Sequence, residues 1–546
     1  MEKAKKLTIA LHKELRPWVR AIILALSGLL TGLTVAFCEL GFFEWITIIP
    51  AAIILLRRGS HQKTRLRSIY FDGLLFFYGF YLVCYHFFLS MYPLEFVGLN
   101  KGAAVVVVLV AWLGLSLLQA LMGACVFLLS AVLFRGRICK KISILKPVIV
   151  AAIWAAFEWS QNFGWWGVPW GKLAIGQTKY VLGIQNASWL GSYFISFVIV
   201  AVNFFIALAL LKACKVKIVK LASSFAVSLL LFQYISGAII WLNTDIDEGE
   251  KVTVACLQGN ISTGSEWNSN TLDDITEVFW SNTRKAAEQG VEIIVWPETA
   301  LPVDITAGIY GGYDKKCKDL AKETETYILV GAYSTDEDGK CYNSMICYTP
   351  EGERLETIYN KRRLVPFGEF IPMRKLFETV IPPLTEIIIP FDDISFGQGA
   401  NIMDIEGHDV GCLICFDSIY DGLMHETVRS GAEIICLSTN DSWFEGSAAL
   451  RIHNSHAQLR AIESGRYITR CASTGISTVI SPRGEVLDSL EAETEDILVY
   501  DVHTRTNRNI WYYVGNAFVY VCLVFVFVLI FDKILVRFKK KSIKNT

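Results

Sequence analysis

Two kinds of hydrophobic pattern divide the chain near residue 245. Before it, long unbroken apolar runs are separated by short polar loops; after it, short apolar runs alternate with longer polar stretches compatible with helix. The long runs lie at 18–37, 42–56, 68–89, 103–133, 147–163, 190–211 and 221–241, with a last one at 511–531. Most approach the roughly 20 residues that cross a bilayer core. The run at 42–56 is short, and 103–133 is long enough for one tilted or broken helix without room for a loop between two. The pattern predicts eight transmembrane helices, seven before a large polar region and one after it. The expected division is therefore a membrane domain at 1–244, an exterior domain at 245–508, and a last helix with a basic tail at 509–546.

Within the exterior region, "VTVACLQGN" (252–260), "VEIIVWPE" (291–298), "TYILVGAYS" (326–334), "HDVGCLICFD" (408–417) and "AEIICLSTND" (432–441) read as buried strands. Residues 271–289 and 447–466 read as helices, and "STVISPRGEVL" (477–487) as a hairpin. Strands alternating with helices predict an α/β domain. Three of the strands run into a chemically capable residue: Glu298, Cys415 and Asn440. Ligands collect at the carboxyl ends of strands in such sheets, so these side chains are expected to converge on one crevice. Lys361 joins them from a segment that becomes rich in Pro and Gly and reads as a loop.

Composition agrees with membrane spans. Apolar residues make up 53% of the 546 and charged residues 19%, well off the soluble norm. A net charge of −1 gives no electrostatic reason to expect nucleic acid. Lys and Arg gather at the N-terminus, at 57–67, 135–146 and 212–220, and in the tail 533–544, whereas the alternate loops are nearly free of them. The positive-inside rule then puts both termini in the cytoplasm and the polar region outside. The first span reads as a retained helix, because Phe37 stands where lipoprotein-type processing needs a small residue.

Cysteine usage predicts neither a disulfide framework nor a metal site. Cys412 and Cys415 have the C-x-x-C spacing, but the pair ends an apolar run where a redox motif opens a helix. Cys256, Cys412 and Cys436 read as small hydrophobes in strands. His453 and His456 sit three apart on the helix expected at 447–466, with no third ligand evident. No cofactor is expected.

The order Glu298, Lys361, Cys415 and its local wording resemble the nitrilase superfamily, whose signature is a Glu–Lys–Cys triad on an αββα sandwich. "WPET" around Glu298, "NKRRLVPFGEFIP" around Lys361 and "CFDSIY" at Cys415 carry the likeness, and "STNDSWF" (438–444) and "QLRAIESGRYITRCASTGIS" (458–477) extend it. Seven spans before such a domain and one after it resemble the apolipoprotein N-acyltransferase family. "GVPWGKLAIGQ" (167–177) and "GIQNASWLGSYFISF" (183–197) resemble that family's membrane part. The resemblance implies a bacterial inner-membrane enzyme, acting as a monomer with its catalytic domain on the exterior face. Its acyl donor is a phospholipid, typically phosphatidylethanolamine, and its acceptor the N-terminal α-amino group of a diacylglyceryl-modified apolipoprotein. Glu298, Lys361 and Cys415 are the implied triad, with Glu369, Asp417, Phe416, Trp267 and Asn440 in support. Phe416–Asp417 replaces the family's usual Tyr-Glu, and "EWSQ" (158–161) lacks an arginine the family carries. Two other readings remain: a membrane-tethered amidase hydrolysing C–N bonds of an exported small molecule, and a non-catalytic receptor or transporter. The apolar segment 376–396 is expected to form a packed loop, or else a lid that receives acyl chains.

Overall fold

The computed structural model describes residues 15–94, 99–211, 215–261, 269–307, 310–380 and 393–545. Among the described residues, seven helices are long and apolar enough to cross a membrane: α1 (Pro17–Ala36), α2 (Cys38–Ser60), α3 (Leu66–Cys84), α4 (Lys101–Phe134), α6 (Ser192–Leu210), α7 (Val216–Asn243) and the last helix, α12, over Ala517–Val536. The run at 147–163, expected as a span, forms the shorter α5 (Leu145–Ser160) of 16 residues. Most of its side chains are buried, and it packs between α4, α6 and α12. Among the described residues, seven of the eight expected spans are thus long enough to cross a bilayer, and the eighth is this short apolar helix. The long run at 103–133 is a single helix, N-capped by the Asn100 side chain, which accepts from the Ala103 amide at 3.0 Å.

The bundle closes through small residues. A Cβ on Gly28 of α1 would lie 1.9 Å from the Phe76 carbonyl oxygen of α3, and one on Gly79 of α3 2.6 Å from that of Ala25. Gly28 and Gly32 are four apart on one face, so the two backbones touch, as small-residue stripes allow. Outward faces carry exposed apolar side chains such as Ile22, Leu26 and Leu30, the expected surface where lipid replaces water.

The domain between α7 and α12 is built from two sheets. The first runs β13 (Asp496–His503), β1 (Lys251–Gln258), β2 (Ile293–Val295), β4 (Tyr327–Thr335), β5 (Cys341–Tyr348) and β6 (Tyr359–Asn360), with β3 (Leu301–Asp304) also on β4. The second runs β12 (Val486–Ser489), β11 (Thr478–Ile480), β10 (Tyr467–Ala472), β9 (Ile434–Thr439), β8 (His408–Ile414) and β7 (Met403–Ile405). Strands β1–β2–β4 and β8–β9–β10 pair in parallel, and the flanking strands antiparallel.

Alternation along the strands sorts the side chains into layers. Val254 and Cys256 of β1 join the core shared with β8 and β9, whereas Ala255 and Leu257 pack outward with Phe279 and Leu320. Those two come from α8 (Ser269–Ala287) and α9 (Gly311–Thr324), which cover the first sheet. Helices α10 (Asp421–Arg429) and α11 (Ala449–Ser464) cover the second. The result is an αββα sandwich whose α11 layer also rests on the bundle. Thr178 donates to Ser455 at 2.9 Å, and the ring of Trp170 lies 5.8 Å from those of His453 and His456. Trp170 is buried at this seam.

Candidate active site

Four loops meet at the ends of the two sheets. Glu298 follows β2, Lys361 follows β6, Cys415 follows β8, and Asn440 follows β9. Lys361 Nζ lies 2.7 Å from Glu298 Oε1 and 3.0 Å from Glu369. The backbone amide of Asn440 donates to Glu298 Oε2 at 2.8 Å, so both carboxylate oxygens are fixed in place. Asn440 acts here through its amide; its side-chain oxygen accepts from Ser442. Glu369 also accepts from the Val365 amide at 2.8 Å, which ties it to the turn after Lys361.

Asn343 completes this cluster. Its Nδ2 donates to Glu298 at 2.8 Å and to Glu369 at 3.0 Å, bridging the two carboxylates on the side away from the amide. Burial works against the Lys361 charge, but Glu298 and Glu369 outweigh it and hold the ammonium well above the ordinary lysine range. The lysine is therefore a permanent cation.

Cys415 stands at the junction of β8 and a 3₁₀ turn (Cys415–Ile419), with φ of +47°. A non-glycine residue in that left-handed region costs about 1–3 kcal/mol and persists only where its surroundings hold it. The Cys415 carbonyl is held by the Ser418 hydroxyl at 2.7 Å and faces His453 Nε2 at 3.1 Å. Burial, then the Glu298 carboxylate, push the thiol well up, and Lys361 opposes them. The resting sulfur is thus a neutral thiol beside a carboxylate able to take its proton.

Asp417, two residues on, is fully buried and gathers four donors. It accepts from the amides of Ile414 (3.2 Å), Arg362 (3.2 Å) and Arg363 (2.7 Å) and from the Tyr359 hydroxyl (2.9 Å). One carboxylate therefore ties the nucleophile turn to the chain that carries Lys361. Burial raises Asp417 to about 6, with Lys361 and these hydrogen bonds opposing. Phe416 is half-buried and meets Tyr420 edge-on at 5.4 Å. Cys412 is buried between the sheets opposite Cys436, so the C-x-x-C spacing places its two sulfurs in different environments. Trp267 and most of the 376–396 segment lie outside the described residues.

The structure adds residues that the sequence reading missed. Asn343 was hidden because β5 was not recognised as a strand; the alternation in "CYNSMICY" is the signal that places it. The second is a polar chain behind the nucleophile. His453 Nδ1 lies 2.8 Å from Asp441 Oδ1, and Arg470 donates to Asp441 Oδ2 at 2.5 Å. Cys415 Sγ, an Asp441 oxygen and a His453 nitrogen fall within 4.8 Å of one another. Both Asp441 oxygens are already taken by Arg470 and His453, which makes the group an ion-paired chain.

A buried cysteine, glutamate and lysine at the end of an αββα sandwich define a thiol enzyme of the carbon–nitrogen hydrolase type, here mounted on a helical membrane bundle. Residues 253–509 match the Carbon-nitrogen hydrolase family, and residues 27–205 match the Apolipoprotein N-acyltransferase N-terminal domain. The chain belongs to the apolipoprotein N-acyltransferase family. Similar proteins of that name include one from Geobacter metallireducens, 28% identical over 376 residues, or 68% of this chain and 71% of that one. Another, from Gloeobacter violaceus, is 27% identical over 464 residues, covering 84% and 83%. A third, from Synechocystis sp., is 26% identical over 525 residues, covering 90% and 96%. The match extends through the membrane helices, which the amidase reading leaves without a purpose.

Proposed function

We propose that this protein transfers a fatty acyl chain from a phospholipid, typically phosphatidylethanolamine, to the N-terminal α-amino group of a diacylglyceryl-modified apolipoprotein. It acts as a monomer, the whole cluster coming from one chain. The observation that carries the reading is the Glu298–Lys361–Cys415 cluster, seated on an outward-apolar helical bundle. Glu298 takes the Cys415 proton as the sulfur attacks the ester carbonyl. Lys361 holds the negative charge that develops on the carbonyl oxygen. The tetrahedral adduct collapses, the C–O bond breaks, and the lysophospholipid alkoxide leaves with the proton from Glu298. The remaining thioester is attacked by the acceptor amine, whose proton Glu298 accepts and returns to the departing sulfur.

Asn343 and Glu369 keep Glu298 and Lys361 at bonding distance through both half-reactions, and Asp417 keeps their loop against the nucleophile. The catalytic domain faces the exterior and both termini are cytoplasmic. Basic groups support this: Arg20 and Arg58 both bind Asp72 at 2.8 Å, and Lys146 donates to Ser60 at 2.8 Å. These mark one end of α3, and at its other end Phe87 packs on Phe444 of the catalytic domain at 4.9 Å. Basic loops stay in the cytoplasm.

The test is direct. Incubation with acyl-labelled phospholipid should leave hydroxylamine-sensitive label on the Cys415 peptide, and none through a thioester in Cys415→Ser. A diacylglyceryl-cysteine peptide should then discharge the label to its amine. Wild-type protein that never acquires the label, or that releases it only to water, would refute the reading.

A further inference from the structure

The ring of His453 is held at both nitrogens by groups that accept. At Nδ1, Asp441 Oδ1 stands at 2.8 Å. Burial works against the Asp441 charge, but Arg470 and His453 outweigh it and hold the carboxyl well below the usual range, so it is an acceptor only. Arg470 also approaches Nδ1, at 3.2 Å, but a lone pair there would point at the closer carboxylate oxygen. Nδ1 therefore carries a proton. At Nε2 stand the Cys415 carbonyl at 3.1 Å and the Ser418 oxygen at 3.0 Å. The Ser418 hydroxyl donates to that same carbonyl at 2.7 Å, the shorter of its two contacts, which leaves its oxygen to accept at the ring. Both neighbours of Nε2 thus accept, and Nε2 carries a proton too.

We propose that His453 is a positioning residue of the acyl-transfer reaction: a doubly protonated imidazole that clamps the Cys415 carbonyl and sets a positive charge beside the sulfur. This rests on the function proposed above. The clamp explains how a left-handed backbone persists at Cys415. His453, Asp441 and Arg470 together carry one net positive charge, and the sulfur is within 4.8 Å of the first two. The thiolate left on Cys415 when Glu298 takes its proton then finds a second cation besides Lys361.

Other elements around the ring are consistent. From α11, His456 sits one turn on; burial, then Lys172 and Arg460, push it well down, so it is neutral and does not compete. Trp170 from the bundle covers the ring at 5.8 Å, and Thr439 at the end of β9 donates to Asp441 at 3.1 Å. Glu298 and Lys361 face the sulfur from the first sheet.

The experiment is iodoacetamide labelling of Cys415 across pH, read by peptide mass spectrometry on the full chain in detergent. His453→Gln should move the labelling midpoint up by about one pH unit and slow labelling at neutral pH about tenfold, while Ser418→Ala, which removes no charge, should leave the midpoint in place. A His453→Gln profile unchanged from wild type would overturn the proposal. A second reading needs no variant. In bilayers of wild-type protein carrying [15N]histidine and [1-13C]cysteine, the ring in contact with a cysteine carbonyl should show both nitrogens protonated at neutral pH. An unprotonated nitrogen in that ring would overturn the proposal equally. Iodoacetamide needs no acyl donor, so a failed thioester assay and a failed shift are separable results.

Discussion

Asp417 shows how much one carboxylate holds at this site. Its four donors come from the end of β8, from the Tyr359 hydroxyl and from the two amides after Lys361. Replacing it by Asn puts an N–H₂ group against N–H donors and leaves at least one of them unsatisfied and buried. That costs about 1–3 kcal/mol, so Asp417→Asn should lower the rate of thioester formation by about tenfold or more. The carboxyl also carries a pH signature. Its folded value of about 6 lies above the ordinary aspartate value of about 3.9. A raised carboxyl contributes stability in full below the unfolded value and loses it as pH climbs through the folded one. Wild type should therefore lose thermal stability relative to Asp417→Asn between pH 4 and 7, and parallel melting curves would refute this. The family's usual Glu at this position has one more methylene than the slot formed here with Tyr359.

At the scale of elements, the site depends on how closely the strands approach. Gly331 in β4 passes under the loop that carries Glu298: a Cβ there would lie 2.1 Å from the Pro297 carbonyl oxygen and 3.0 Å from the Glu298 Cα. Backbone cannot yield as a flexible side chain does, so Gly331→Ala must push the Pro297–Glu298 loop outward. Displacing a base by about an ångström costs on the order of a hundredfold. The variant should fold, with a lower melting temperature, and form the thioester about a hundredfold more slowly; near-normal kinetics would show that the loop relaxes freely. The same strands explain what could be read from sequence. Long apolar runs and the parallel strands β1, β2, β4, β8 and β9 announce themselves by burial, and motif wording located Glu298, Lys361, Glu369, Cys415 and Asp417. Asn343 was not legible, because it reaches Glu298 only through the antiparallel pairing of β4 with β5. The His453–Asp441–Arg470 chain was hidden for the same reason: its members lie on α11, after β9 and on β10, and only the packed second sheet makes them neighbours. A pair of histidines three apart, with no third ligand evident, gave no role from sequence, whereas the fold turns His453 to the nucleophile and His456 to the Trp170 carbonyl at 3.3 Å.

At the scale of the whole molecule, the bundle and the catalytic domain share a charged seam buried from water. Lys172, from the loop after α5, lies 3.2 Å from Asp421 at the start of α10, and both are essentially inaccessible. Asp421 also accepts from Tyr193 of α6 at 2.5 Å and from Asn516, just before α12, at 2.6 Å. Alongside, Arg460 binds Glu463 at 2.6 Å, and Glu463 accepts from the Ser192 amide at 2.8 Å. Because α10 follows directly on the turn that bears Cys415, this seam fixes the nucleophile relative to the bundle. Burial works against the Asp421 charge, but Lys172 and Arg460 outweigh it and hold the carboxyl well below the ordinary range. A depressed carboxyl contributes stability above the unfolded value of about 3.9 and loses it as pH falls through the folded one. Lys172→Met strands that carboxylate next to an apolar chain, and breaking a buried pair from one side costs about 3–5 kcal/mol. The variant should melt far below wild type at neutral pH. Asp421→Asn in the same background removes the stranded charge while the amide oxygen still accepts from Tyr193. The double variant Lys172→Met/Asp421→Asn should accordingly recover at least half of the lost melting temperature, and thioester formation with it. Equal or additive losses in the two would mean that the seam is held by packing and that its charges are passengers.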